Sequence, residues 1–191
     1  PAVGRFAEAS YLYPGADAFA AGCFATAAWS APFGVEELAV TTVHAGAAAG
    51  RFGFSLSCSG SGFELYGDDT EKIGAAYRIA PFVSCGLRLT RNAMRIRGFG
   101  HADAWSADAG IVCRPHRTVY IAGSVEDIAG AELGDSREPL DGRVRLAASW
   151  MATEDVTLLM SASKVRRFDV SFCGGCTVRL FRSMTVGIAG A

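Results

Sequence analysis

The sequence predicts an all-β protein: an antiparallel up-and-down meander of about eleven strands that forms part of a transmembrane β-barrel. Three observations carry this. Apolar and polar residues alternate with period two along most of the chain, short turns alternate with longer or more charged loops, and four hairpins share one plan. The alternation is plain in residues 168–179, where Phe168, Val170, Phe172, Gly174, Cys176 and Val178 are apolar or small while Asp169, Ser171, Thr177 and Arg179 are polar. Successive side chains of a strand point to opposite faces, so this segment has one oily and one wet face. A half-buried soluble sheet and a barrel wall between lipid and lumen both have that pattern.

Composition narrows the classes. The chain has 191 residues, half of them hydrophobic, and a formal net charge of -1; its mean hydropathy is +0.24. That length suits a single domain, residues 1–191, and the charge gives no reason to expect nucleic acid or an acidic surface as partner. No uninterrupted apolar run approaches the roughly 20 residues that a membrane-spanning helix needs, so a membrane would be crossed by strands. The first residues lack a charged stretch followed by an apolar core, and the chain begins without Met, which predicts a processed or partial product. Of the six cysteines, Cys23, Cys58, Cys85, Cys113 and Cys176 share parity with apolar neighbours and read as small hydrophobes on the oily face.

The elements follow in order. Residues 1–17 are mostly irregular, with the turn signal Pro14-Gly15. Residues 19–29 alternate as a strand with Phe24 on the wrong face, Ser30-Ala-Pro-Phe-Gly34 breaks it, and residues 38–44 are β-branched and strand-like. Residues 46–50 are expected to turn into a clean strand over 51–59, with Phe52, Phe54, Leu56 and Cys58 on the oily side. The apolar parity switches at Phe63 and Leu65, predicting a bulge or a strand leaving its regular environment. A polar turn is expected at residues 68–71, then a strand over 72–79 ended by Pro81. Residues 83–89 and 105–113 are strands around a loop at 98–103, and parity flips again by Met94 and Ile96. Val119, Ile121, Gly123 and Val125 continue the pattern before a long polar loop at 129–142. Strands over 144–152, 156–163, 168–179 and 184–191 complete the meander.

Turns at residues 80–82, 114–118, 153–155 and 180–183 are short, while those at 91–104, 128–142 and 164–167 are longer or more charged. Strict alternation of the two kinds is the mark of an outer-membrane barrel. Segments beginning at Ile73, Ala109, Leu146 and Phe172 each run strand, aromatic or Cys, short turn, strand, and repeated hairpins favour a meander.

These hairpins resemble those of the FadL/PorV-like superfamily of bacterial outer-membrane barrels, in an uncharacterised branch. The resemblance is carried by Gly74-Ala-Ala-Tyr77-Arg78-Ile-Ala-Pro81, Asp108-Ala-Gly110-Ile-Val-Cys-Arg114-Pro115, the acidic loop Leu133-Gly-Asp-Ser-Arg-Glu-Pro139-Leu before Arg143-Val-Arg-Leu-Ala-Ala-Ser-Trp150, and the turn Ser30-Ala-Pro-Phe-Gly34. It implies a location in the outer membrane and FadL-like uptake of a hydrophobic or small solute such as a fatty acid, with outer-membrane lipid as the other partner. A PorV-like scaffold for secretion or surface assembly is the alternative, and a soluble periplasmic β-domain with the oily parity packed inside a third. Members of the superfamily are typically longer and carry a Gly-rich N-terminal segment that helps plug the lumen, after an Asn-Pro-Ala motif. Pro1-Ala2 resembles the tail of that motif, and Ala191 is not the terminal aromatic such barrels usually end on. The expectation is therefore a member truncated at both ends and lacking a plug.

No residue pattern points to catalysis or to a cofactor. Cys173-Gly-Gly-Cys176 matches a redox or zinc half-site, but a strand points its two thiols to opposite faces and no second ligand pair follows. His44, His101 and His116 are isolated and read as solvated, and Gly98-Phe-Gly100 is not followed by a helix as a phosphate loop would be. The candidate functional residues are instead charges of wet parity. Asp108, Arg114, Arg143, Arg145, Asp169 and Arg179, with Lys72, Arg78, Arg88 and Glu126, are predicted to face the lumen as a polar conduit or as plug contacts. Trp29, Trp105, Trp150 and Tyr77 have the oily parity near strand ends, where aromatics anchor barrels at membrane interfaces.

Overall fold

Period-two alternation over long stretches leaves the chain one way to segregate its apolar side chains, as strands paired edge to edge. The computed structural model describes residues 11–20, 22–134, 138–181 and 184–190. Pro1-Ala2, residues 135–137 of the acidic loop and residues 182–183 of the last turn lie outside that set. The strands are β1 (Gly22–Ser30), β2 (Val40–Ala49), β3 (Phe52–Phe63), β4 (Tyr66–Ala80), β5 (Val83–Ile96), β6 (Gly100–His116), β7 (Val119–Glu126), β8 (Glu132–Leu133), β9 (Glu138–Pro139), β10 (Arg143–Met151), β11 (Val156–Val165), β12 (Val170–Phe181) and β13 (Met184–Gly190). Eleven of them form one sheet in the order β1-β2-β3-β4-β5-β6-β7-β10-β11-β12-β13, while β8 and β9 pair separately inside the long loop. Every neighbouring pair is antiparallel, as the repeated hairpins predict. The sheet is open: β1 and β13 are its ends, and no pairing joins them among the described residues. None of the helices among the described residues is long and apolar enough to cross a membrane.

Several local expectations are corrected. Residues 46–49 are not a turn but the end of β2, because the Gly50-Arg51 pair alone reverses the chain. Asp68 to Glu71 is not a turn either; these residues pair with β3 and β5, and the reversal is at Glu64-Leu65. The parity switch after Gly62 hides no bulge, since β3 and β4 stay in register from Phe52↔Tyr77 to Phe63↔Tyr66. The stretch 91–104 is likewise strand up to Ile96 and from Gly100. Both parity changes fall in the outer halves of two long hairpins, where the oily and wet faces cease to differ. The irregularities that do occur sit at the short-turn rim, between Arg78 and Ala80, between Cys113 and His116 and between Arg179 and Phe181.

Burial is inverted relative to an ordinary domain. Leu56, Ile73, Leu87, Leu146 and Phe172 are each 59–71 % exposed, and with Phe54, Trp105, Ile111, Ile121 and Met160 they cover one face of the sheet. The opposite face buries His44, Ser55, Ser84, Arg88, Thr90, Ser106, Asp108 and Ser124. Buried polar groups and a large exposed apolar surface are the informative departures from the usual rule.

The polar face is covered by the chain's own beginning. Residues expected to be irregular form a 3-10 helix, Pro14–Phe19, whose Pro14, Gly15, Ala16, Asp17 and Ala18 are all buried. This insert packs against β2 to β6, and the cluster around Tyr13 extends to Val112, Tyr120, Ala122 and Ala147 on β6, β7 and β10. The sheet therefore curves round the insert with its polar face concave. Residues expected to be irregular are thus an ordered insert on the polar face.

Candidate functional site

The concave wall is built in rows fixed by register. Gly46, Ser55, Gly74, Arg88 and Asp108 stand side by side on β2 to β6. The adjacent row is Ala48, Gly53, Ala76, Gly86, Gly110, Ser124 and Arg145. Small residues in these rows make the floor on which the insert lies. A Cβ on Gly53 would come within 2.4 Å of the Asp17 carbonyl carbon, one on Gly86 within 2.3 Å of the Pro14 oxygen, and one on Gly110 within 2.7 Å of the Pro14 ring. Gly46 does the same for a neighbour on β1: its missing Cβ leaves room for the Phe24 ring, which explains why that aromatic has the wet parity.

An irregular segment buried against a sheet must find partners for its peptide groups. The wall supplies them. Arg88 Nη1 donates to the Tyr11 carbonyl at 2.6 Å, Ser84 Oγ to the Gly15 carbonyl at 2.6 Å, and Arg78 Nε to the Ala18 carbonyl at 3.0 Å. Ser55 Oγ donates to Asp17 Oδ2 at 2.7 Å. Aromatic rings complete the seat: Lys72 Nζ lies 4.4 Å from the Tyr11 ring centroid, Arg78 lies over Phe19 at 5.2 Å, and Tyr11 meets His44 edge-on at 6.0 Å. Burial pushes the Tyr13 phenol above its ordinary pKa.

The predicted lumen residues divide. Asp108 is buried in the wall, accepting from Thr90 Oγ1 at 2.8 Å and from the Asp127 backbone N–H at 3.1 Å. Arg145 pairs with Glu126 at 3.0 Å. Arg143 stands opposite Glu126 across β7 and β10, with a buried Nε that has no hydrogen-bond partner among the described residues. Arg114 is at the short-turn rim, its guanidinium 5.1 Å from the Tyr120 ring centroid. Arg179 is half-buried on β12, outside the main cluster. Asp169 is not in the wall: it is exposed in the connection before β12. Lys72, Arg78, Arg88 and Glu126 join the site, the first three as contacts of the insert.

His44 is also corrected, from a solvated histidine to one buried between Tyr11 and Phe24, because β2 continues past it and turns it inward. Sequence reasoning missed Asp17, Ser55, Ser84 and the Gly53, Gly74, Gly86 and Gly110 floor. Glycine recurring at wet parity in four successive strands is the signal that would have found them.

Cys173 and Cys176 have the parity of opposite faces, standing across from Ser161 and Leu158 of β11. Among the described residues no group of three or more His, Cys, Asp and Glu is arranged to hold a metal ion.

No protein-family model and no curated protein matches this chain. The arrangement is a curved sheet, apolar on its convex face and polar on its concave one, whose inner charges hold the insert and one another.

Proposed function

We propose that this chain is the wall of a bacterial outer-membrane β-barrel that takes up a hydrophobic or small solute, in the manner of FadL-like transporters, without covalent catalysis. One observation carries the reading, the inversion of burial across the sheet. A periplasmic domain in water would hide Leu56, Ile73, Leu87, Leu146 and Phe172, whereas these side chains are exposed and the charged ones are covered. A lipid environment accounts for the first and a polar lumen for the second. The insert held by Arg78, Ser84 and Arg88 is then the element that solute must pass.

A second reading is favoured by strand length. About 9–11 residues cross a bilayer as a tilted strand, but β4, β5 and β6 have 15, 14 and 17. The β3–β4 and β5–β6 hairpins project beyond such a span, and projecting hairpins are what a PorV-like scaffold would present to partners. Uptake separates the two: full-chain proteoliposomes should accumulate a labelled fatty acid above empty vesicles if the protein transports, and match them if it is a scaffold. A protein monodisperse in buffer without detergent would refute both.

A further inference from the structure

The short-turn rim carries a feature that uptake does not use. Residues 49–52, 78–83 and 113–119, which form three adjacent short turns and their flanks, contain Arg51, Arg114, His116 and Arg117 besides the Arg78 that holds the insert, and no Asp or Glu. The next short turn, with Glu154 and Asp155, ends the basic arc. Between two of these turns lies an open pocket of about 400 Å³ lined by Pro81, Phe82, Arg114, Pro115, His116 and Arg117. Its shape is fixed by the backbone. Arg114 N–H donates to the Phe82 carbonyl at 2.7 Å, tying one turn to the other, and the register shift between Cys113 and His116 re-aims Arg114 as a bulge does. The Arg114 guanidinium closes the inner side over Tyr120, with one long hydrogen bond of 3.4 Å to the Arg117 carbonyl. Arg117 and His116 are exposed, and His116 stands opposite Val119, which shares its parity with outward-facing Ile121. Phe82 lines the pocket itself, and the exposed Ile79 and Ile111, on the strands that flank these turns, begin the apolar belt.

From this juxtaposition of two Arg and a His above exposed apolar side chains we infer that the rim pocket binds the anionic phosphodiester of a phospholipid headgroup, with the acyl chains lying along the belt. Guanidinium groups suit phosphate oxygens, and basic pockets at a membrane interface select anionic headgroups. The inference rests on the membrane reading above. An inorganic phosphate would satisfy the same cations but has no use for Ile79, Phe82 and Ile111.

The test is a titration of the purified full chain in dodecyl maltoside with monomeric dihexanoyl phosphatidylglycerol, read by native mass spectrometry. The phosphatidylglycerol should bind more tightly than dihexanoyl phosphatidylcholine, and an equal concentration of inorganic phosphate should not displace it. Arg114→Gln with Arg117→Gln should weaken binding about tenfold, the loss of charge-assisted hydrogen bonds. Arg117→Gln alone, in an exposed turn where the fold does not depend on it, should weaken it about threefold. Wild-type affinity in both variants would overturn the inference, and so would equal displacement by inorganic phosphate. Failure of the membrane reading is seen separately, as a chain monodisperse without detergent, and the same titration then runs in that buffer.

Discussion

Ser55 Oγ on β3 donates a 2.7 Å hydrogen bond to Asp17 Oδ2, a side chain with no exposed surface. The bond joins the first residues described to a strand nearly 40 positions later and makes the insert part of the wall. Ser55→Ala removes the donor, at an expected cost of about 1–3 kcal/mol for a bond to a buried charged group. A lower unfolding midpoint in micelles, with faster protease cleavage near residue 17, would confirm it.

The glycine floor gives a sharper contrast. In Gly86→Ala the new methyl would sit 2.3 Å from the Pro14 oxygen, so the insert must shift. Overpacking of this kind costs about 1–3 kcal/mol. At Gly174 the nearest atom is 4.0 Å away, and Gly174→Ala should stay within about 0.5 kcal/mol of wild type. Paired urea titrations in the same detergent measure both.

Those two positions also show what was legible in the chain. Period-two alternation through Phe52, Phe54, Leu56 and Cys58, or Ile73, Ala75, Tyr77 and Ile79, sets strand, face and meander directly, because a one-residue slip would exchange the faces. What stayed hidden was non-local. Pro14-Gly15 carries a local turn signal, but its burial depends on Gly86 and Gly110, 71 to 96 residues away on two other strands. Gly46 read as a turn for the same reason: nothing near it in sequence says that it makes room for Phe24. Asp169 has the parity of the wall, yet the strand begins one residue after it, at Val170.

Arg145 and Glu126 lie 3.0 Å apart with side chains only 16 and 21 % exposed. Removing either leaves its partner charged and largely covered, so each single Ala variant should cost more than the pair contributes. A double-mutant cycle should return a coupling of about 1 kcal/mol or more, with the double variant more stable than the two single losses sum to. Additive losses would mean that the two side chains act independently.

If the belt faces lipid, charge introduced there is costly in a depth-dependent way. Leu87→Arg, in the middle of β5, should lose about 2–4 kcal/mol in vesicles, and Leu65→Arg, in the tip of the β3–β4 hairpin, about 0–1 kcal/mol. Both leucines are exposed, so in a protein surrounded by water the two substitutions would be equally mild. Equilibrium unfolding from vesicles distinguishes the cases.

The three tryptophans, Trp29, Trp105 and Trp150, all expose their rings on the apolar face proposed to meet lipid. Quenching of their fluorescence in vesicles, by lipids brominated on the acyl chains and by acrylamide in the water, is the direct measurement. Rings in contact with lipid should be quenched strongly by the brominated lipids and weakly by acrylamide. Emission untouched by brominated lipid and readily quenched by acrylamide would contradict that contact.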